Sequence, residues 1–196
     1  MLGSEFVIGP TRAGKTNFYK AKSVAVVGPV CSGKTEQLSI YAEELISQNK
    51  KVCVIEVKEH SSIQERMTVD QEIITYFDPV RDEFPSEVKQ LMFLKVPMTA
   101  IQNGEEVFDL ILIENLLKRF DVLLVDETTY TLRDLIDADM FKTFVKVCME
   151  NETNLVVTAH DLRQLGVSYE EFVFHAIVRG GSVGKSDKQA RGQWVL

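Results

Sequence analysis

The chain has 196 residues, a net charge of −7, 45% hydrophobic and 26% charged residues, which is the balance of a water-exposed globular domain with enough apolar material for a core. No stretch approaches the ~18 uninterrupted apolar residues of a membrane helix, and the N-terminus lacks the charged-then-apolar plan of a secretion signal, so the expectation is no membrane association and a cytoplasmic setting, or a virus-associated one in an infected cell. Cys31, Cys53 and Cys148 are an odd set without a C-x-x-C pair, which speaks against a disulfide framework or zinc ribbon and for a reducing compartment.

Two glycine motifs open the chain. Gly9-Pro10-Thr11-Arg12-Ala13-Gly14-Lys15-Thr16 and Gly28-Pro29-Val30-Cys31-Ser32-Gly33-Lys34-Thr35 both satisfy G-x-x-x-x-G-K-[ST], each after a short apolar run. A parallel crossover needs a dozen or more residues. The first copy has only the seven residues 17–23 before the next strand begins, whereas the second has a helical pattern over 35–49 and a further strand over 52–57. The second copy is therefore expected to be the working site. Residues 1–21 read as an N-terminal arm, 22–180 as the main domain, and 181–196 as a flexible basic tail with a short terminal strand at Gln193-Trp194-Val195-Leu196.

In the strand–loop–helix order, backbone N–H groups of the loop and the positive end of the helix face phosphate oxygens. The expected nucleotide contacts are Gly28, Pro29, Val30, Cys31, Ser32, Gly33, Lys34, Thr35 and Glu36. Lys34 would reach the β- and γ-phosphates, and Thr35 would hold Mg2+.

Beyond it, Leu38, Tyr41, Ala42, Leu45 and Ile46 form an i, i+3, i+4, i+7 stripe. Residues 73–77 read as a strand, 86–94 as a short helix, and 105–120 as a longer one. Pro97 and Asn103-Gly104 are breaks. Asp121-Val122-Leu123-Leu124-Val125-Asp126-Glu127 is a buried strand ending in two carboxylates, a Walker B pattern. Asp126 is the candidate for the Mg2+ shell and Glu127 for the general base. Adjacent residues of a strand point to opposite faces, so a bend at its end must bring both toward the phosphates. A helix over 133–150 and a strand over 154–161 follow. Thr158 and His160 are both candidates at that strand's polar tip. The chain then reads as a strand over 172–179. Arg179, Lys185, Lys188 and Arg191 gather near the C-terminus. Since the bulk is acidic, any nucleic-acid contact is expected to be local or shared among subunits.

Taken together, the glycine loop at 28–35, Asp126-Glu127 and Thr158-Ala159-His160-Asp161 resemble the RecA-like branch of P-loop NTPases. That resemblance implies a three-layer α/β domain with a mostly parallel central sheet of order 5-1-4-3-2, the loop strand beside the Thr158 strand and the Walker B strand beyond. Two families within the branch are similar. The HerA/FtsK superfamily of DNA-translocating and genome-packaging ATPases is resembled through Val54-Ile55-Glu56-Val57-Lys58 and Thr158-Ala159-His160-Asp161-Leu162. It implies ATP hydrolysis in a homo-oligomer acting on nucleic acid, with His160 as sensor and Arg179 as a finger onto a neighbour's nucleotide. Type II thymidine kinase is resembled through the glycine loop with Glu36-Gln37-Leu38 and through Val125-Asp126-Glu127. It implies phosphate transfer to a nucleoside, although this chain has neither that family's paired cysteines nor its lasso. A non-catalytic, nucleotide-regulated protein is a third reading, one that leaves Glu127 without a task.

Overall fold

The computed structural model describes residues 23–28, 30, 33–57, 63–135, 137–165 and 176–179. The upstream motif 9–16, the tail 181–196 and its expected strand, and Pro29, Cys31 and Ser32 of the second loop lie outside the described residues. Among the described residues, seven strands form one sheet: β1 (Ser23–Val27), β2 (Val52–Val57), β3 (Ile74–Phe77), β4 (Leu91–Val96), β5 (Val122–Val125), β6 (Asn154–Ala159) and β7 (Ala176–Arg179). Their order is β3-β4-β2-β5-β6-β1-β7, and every neighbouring pair is parallel. Counting the loop strand as the first, the expected order 5-1-4-3-2 appears as β7-β1-β6-β5-β2. The sheet then continues for two more strands, β4 and β3.

Parallel strands covered on both faces read as continuous apolar runs, because both sets of alternating side chains are buried. Val24, Ala25, Val26 and Val27 are buried without exception, as are Val52 through Val57. One face packs Val24, Val26, Val52, Val54, Leu124 and Val156 under helix α1 (Lys34–Ser47) and the short α2 (Ile63–Arg66). The expected stripe holds there: Leu38, Tyr41, Ala42 and Leu45 are buried. The other face packs Ala25, Cys53, Ile55, Leu123 and Val157 under α3 (Met98–Asn103), α4 (Leu110–Arg119) and α6 (Ala138–Glu150). Three layers result.

Three expected elements differ. The expected helix over 86–94 is instead a loop leading into β4. Leu91, Met92, Phe93 and Leu94 are all buried, and a short apolar run inside a parallel sheet carries no period that separates it from a buried helix. The helix expected over 105–120 starts only at Leu110. Asp109 caps it by accepting from Leu112 N–H, and Asp134 accepts from the N–H groups of Val107 and Phe108, holding 105–109 outside the helix. Its buried side is Leu112 and Leu116, while Leu110 and Ile111 are exposed. The pattern over 133–150 divides into a short 3-10 turn (Arg133–Leu135) and α6, which Asp137 caps. Among the described residues, no helix is long and apolar enough to cross a membrane.

Cys53 and Cys148 are buried on the same face of the sheet, and burial pushes both thiols up, Cys148 to about 12 from an ordinary 9.0. A raised folded-state value means the neutral thiol is favoured by folding. That contribution is intact below pH 9 and is lost as the pH climbs toward 12. Both cysteines are expected to escape iodoacetamide at pH 8 in the folded protein and to react once urea unfolds it. Peptide mass mapping checks this, and rapid native-state modification of either would contradict the packing.

Candidate nucleotide and metal site

Strand β1 runs out at Val27, and Gly28 N–H still pairs with Ala159 O at 3.1 Å, so the loop leaves the sheet beside the end of β6. Gly33 is the N-cap of α1, with φ 85° and ψ 15°. A Cβ built there would meet nothing within 4 Å. Glycine is thus required for its backbone angle, which side chains rarely adopt, rather than for lack of room. Open space in front of an N-terminal helix turn is what a phosphate group would need. Val30 is exposed. Lys34 is 8% exposed, and its ammonium donates to the Gly28 carbonyl at 2.9 Å, back across the mouth of the loop.

The two expected metal residues meet. Thr35, in the first turn of α1, donates its hydroxyl to Oδ2 of Asp126 at 2.9 Å, across 91 residues of sequence. The other carboxylate oxygen, Oδ1, accepts the hydroxyl of Thr158 at 2.7 Å. Thr158 in turn accepts the backbone N–H of Glu127 at 2.8 Å. One hydroxyl, wholly buried, therefore donates to Asp126 and accepts from Glu127.

The bend expected after β5 is at Glu127, which has φ 48° and ψ 52°. A non-glycine residue in the left-handed region costs about 1–2 kcal/mol and persists only where its surroundings hold it. Here Thr158 holds its N–H. Its carbonyl accepts the Thr131 hydroxyl at 3.0 Å and the N–H groups of Tyr130 and Thr131, opening the helical turn α5 (Thr128–Thr131). The Thr131 hydroxyl also donates to the Asp126 carbonyl, and Thr128 sits against the Val125 carbonyl. Three threonines brace the turn. The Glu127 side chain does not cap α5 and makes no hydrogen bond or ion pair among the described residues, so its half-buried carboxylate is available to a ligand.

Other expected residues fall elsewhere. Glu36 is exposed and pairs with Arg66 of α2 at 2.8 Å, tying α1 to α2. His160 lies one residue beyond β6, half-buried, without a hydrogen bond among the described residues. Of the two candidates at that strand tip, Thr158 is the one bonded to the carboxylate turn. Arg179 ends β7, in register with Val27 of β1, which sets its backbone one strand from the loop entrance.

Sequence reasoning passed over Thr131, Glu56 as part of the site, and Lys95. Glu56 is 2% exposed on β2 and forms an ion pair with Lys95 of β4, its register partner. For Glu56 and Lys95 the signal was present, as one charged residue near the end of an otherwise apolar strand.

The donor set suits a hard divalent cation. Thr35 and Asp126 offer a hydroxyl and a carboxylate, and Mg2+ takes few protein oxygens because phosphates and water supply the others. Among the described residues, no group of three or more His, Cys, Asp or Glu could hold a metal alone.

No protein-family model matches the chain, and no curated protein matches it. Among solved structures, it is similar to Thermomonospora curvata EccC (ATPases 2 and 3), in complex with a signal sequence peptide, at 12% identity and a TM-score of 0.40. The match covers 83% of this chain and 30% of that one, so the chain spans under a third of its length.

Replacing Thr158 by Val strands a carboxylate oxygen and a strained N–H together. Thr158→Val is expected to destabilise the fold by about 2–3 kcal/mol, and Thr158→Ser by under about 1 kcal/mol, since serine keeps the hydroxyl. Urea unfolding of the pair checks this, and equal losses would mean that the methyl group, not the hydroxyl, matters.

Proposed function

We propose that the chain binds Mg-ATP at the loop of 28–35 and hydrolyses it, with Asp126 and Glu127 as the working carboxylates. The observation that carries this reading is the hydrogen bond from Thr35 to Asp126, which sets the two expected cation ligands side by side at the mouth of the glycine loop. Lys34 turns from the Gly28 carbonyl to the β- and γ-phosphates. The Gly33 end of α1 accepts phosphate oxygens with its backbone N–H groups. Thr35 and Asp126 hold Mg2+, which when bound neutralises charge on the phosphates. Glu127 takes a proton from the attacking water. The new P–O bond forms at the γ-phosphorus as the bond to the β–γ bridging oxygen breaks, and ADP leaves with that electron pair.

Sheet order supports the second glycine motif over the first. β1 is two strands from β5, with β6 between. A further strand could join only beyond β3 or beyond β7, and either place is four strand spacings, about 19 Å, from β5. A loop there could not share Asp126.

The finer role is a homo-oligomeric motor of HerA/FtsK type acting on nucleic acid. The five-strand core order and the place of Arg179, at the end of outer strand β7, support it.

Lys34→Ala is expected to abolish nucleotide binding. Glu127→Gln should keep binding and lose about 10²–10⁴-fold in turnover, while Lys15→Ala should do neither. Measured ATPase rates and binding of a fluorescent ATP analogue check all three; full turnover in either of the first two variants would sink the assignment. For the motor role, single- or double-stranded DNA should raise the ATPase rate, and subunits carrying Arg179→Ala should regain turnover when mixed with Lys34→Ala subunits. Phosphate transfer to thymidine with no DNA effect would replace the motor with a nucleoside kinase.

A further inference from the structure

Four neighbouring strands carry a polar residue at or near their carboxyl ends, on the face that α1 covers. Asp126 N–H donates to Ile55 O at 3.0 Å, continuing the β2–β5 ladder, so Glu56 stands beside Asp126 at the next position. Glu56 is the register partner of Lys95 on β4, and Thr158 on β6 bonds Asp126 from the other side. The row runs Lys95, Glu56, Asp126, Thr158. Strand alternation puts the first three on the side of Val54, Phe93 and Leu124, beneath α1. Lys95 and Glu56 form an ion pair, 13% and 3% exposed at their side chains, with the Lys95 ammonium also 4.9 Å from the Phe93 ring centre.

Two carboxylates one strand spacing apart, about 5 Å, would by themselves attract a divalent cation whether or not phosphates came with it. We propose that the Lys95–Glu56 pair is a charge-balancing element that makes this site selective for a cation delivered with a nucleotide. Glu56 adds negative potential beside Asp126. Lys95, from the added strand β4, offsets it, so the pair adds little net pull beside Asp126 in the resting site. Free cation is then held weakly. A cation already bound to a triphosphate gains the loop N–H groups and Lys34 as well, and is held tightly. Glu56 and Lys95 act through Asp126 and are positioning residues, not cation ligands. The inference rests on the proposed Mg-ATP reading.

The test uses Mn2+ alone, followed by water-proton relaxation, and in parallel a fluorescent ATP analogue with Mg2+. Wild type is expected to bind free Mn2+ weakly. Lys95→Met should tighten free Mn2+ by about tenfold, Glu56→Gln should weaken it by a similar factor, and the double variant should return close to wild type. The double variant also guards against misfolding, since it removes both charges of the pair together. A purely structural pair would lower thermal stability in both single variants and leave Mn2+ affinity unmoved, and that result would overturn the proposal. If wild type binds the Mg-nucleotide but the single variants do not shift Mn2+ in opposite directions, the inference fails and the functional reading stands. If wild type binds no Mg-nucleotide, both fall.

Discussion

The Asp126 carboxylate joins three elements that the sequence holds far apart. One oxygen takes a hydroxyl from the first turn of α1, the other takes a hydroxyl from β6, and the residue itself ends β5. A carboxylate buried to 6% exposure is costly unless its oxygens are satisfied. Satisfying them fixes where the glycine loop's helix begins relative to the sheet. The rest of the site inherits that position: Gly33 opens α1, Lys34 follows, and the loop mouth faces the strand ends.

The same constraint explains why the strain sits where it does. All-parallel pairing buries both faces of the strands, so polar groups collect at their carboxyl ends, where helices start and loops turn. Bringing two consecutive residues of a strand to one side needs a bend, and Glu127 supplies it with a left-handed backbone. Thr158 and Thr131 hold that bend through its N–H and its carbonyl. The cost is local and the restraint is shared, which leaves the Glu127 side chain outside the bracing network and aimed by the backbone alone. Thr158 bonds the carboxylate turn through its one hydroxyl. It ties the Asp126 carboxylate to the Glu127 backbone.

Legibility followed the physics of each signal. The glycine loop and the Asp126-Glu127 end could be read because each couples a backbone requirement to chemistry: φ 85° at Gly33, and a buried strand ending in charge. The α1 stripe could be read because one side is buried and the other wet. β4 could not, since Leu91 through Leu94 are buried on both sides and have no period to reveal. The start of α4 was misplaced because Asp134, 25 residues beyond Asp109 in the sequence, captures the N–H groups before it; helix propensity alone extends the helix backward. Thr131 was invisible for a related reason, since its role depends on the turn that its own hydroxyl closes.

The row from Lys95 to Thr158 shows how an extension of the sheet reaches the site. β3 and β4 lie beyond the five strands that frame the glycine loop, and β4 shares its register with β2 from Val52 to Val57. Most of that register is apolar against apolar. Near its end it becomes lysine against glutamate. As a stabilising device this pair is poor, because desolvating two charges consumes most of what their attraction returns and an apolar pair of similar size does as well. Leucine or valine at both positions would have continued the pattern of the strands around them. A charged pair there changes little in the core, but it changes the potential one strand away, at the carboxylate that Thr35 and Thr158 hold. The extension therefore contributes charge to the site as well as width to the sheet.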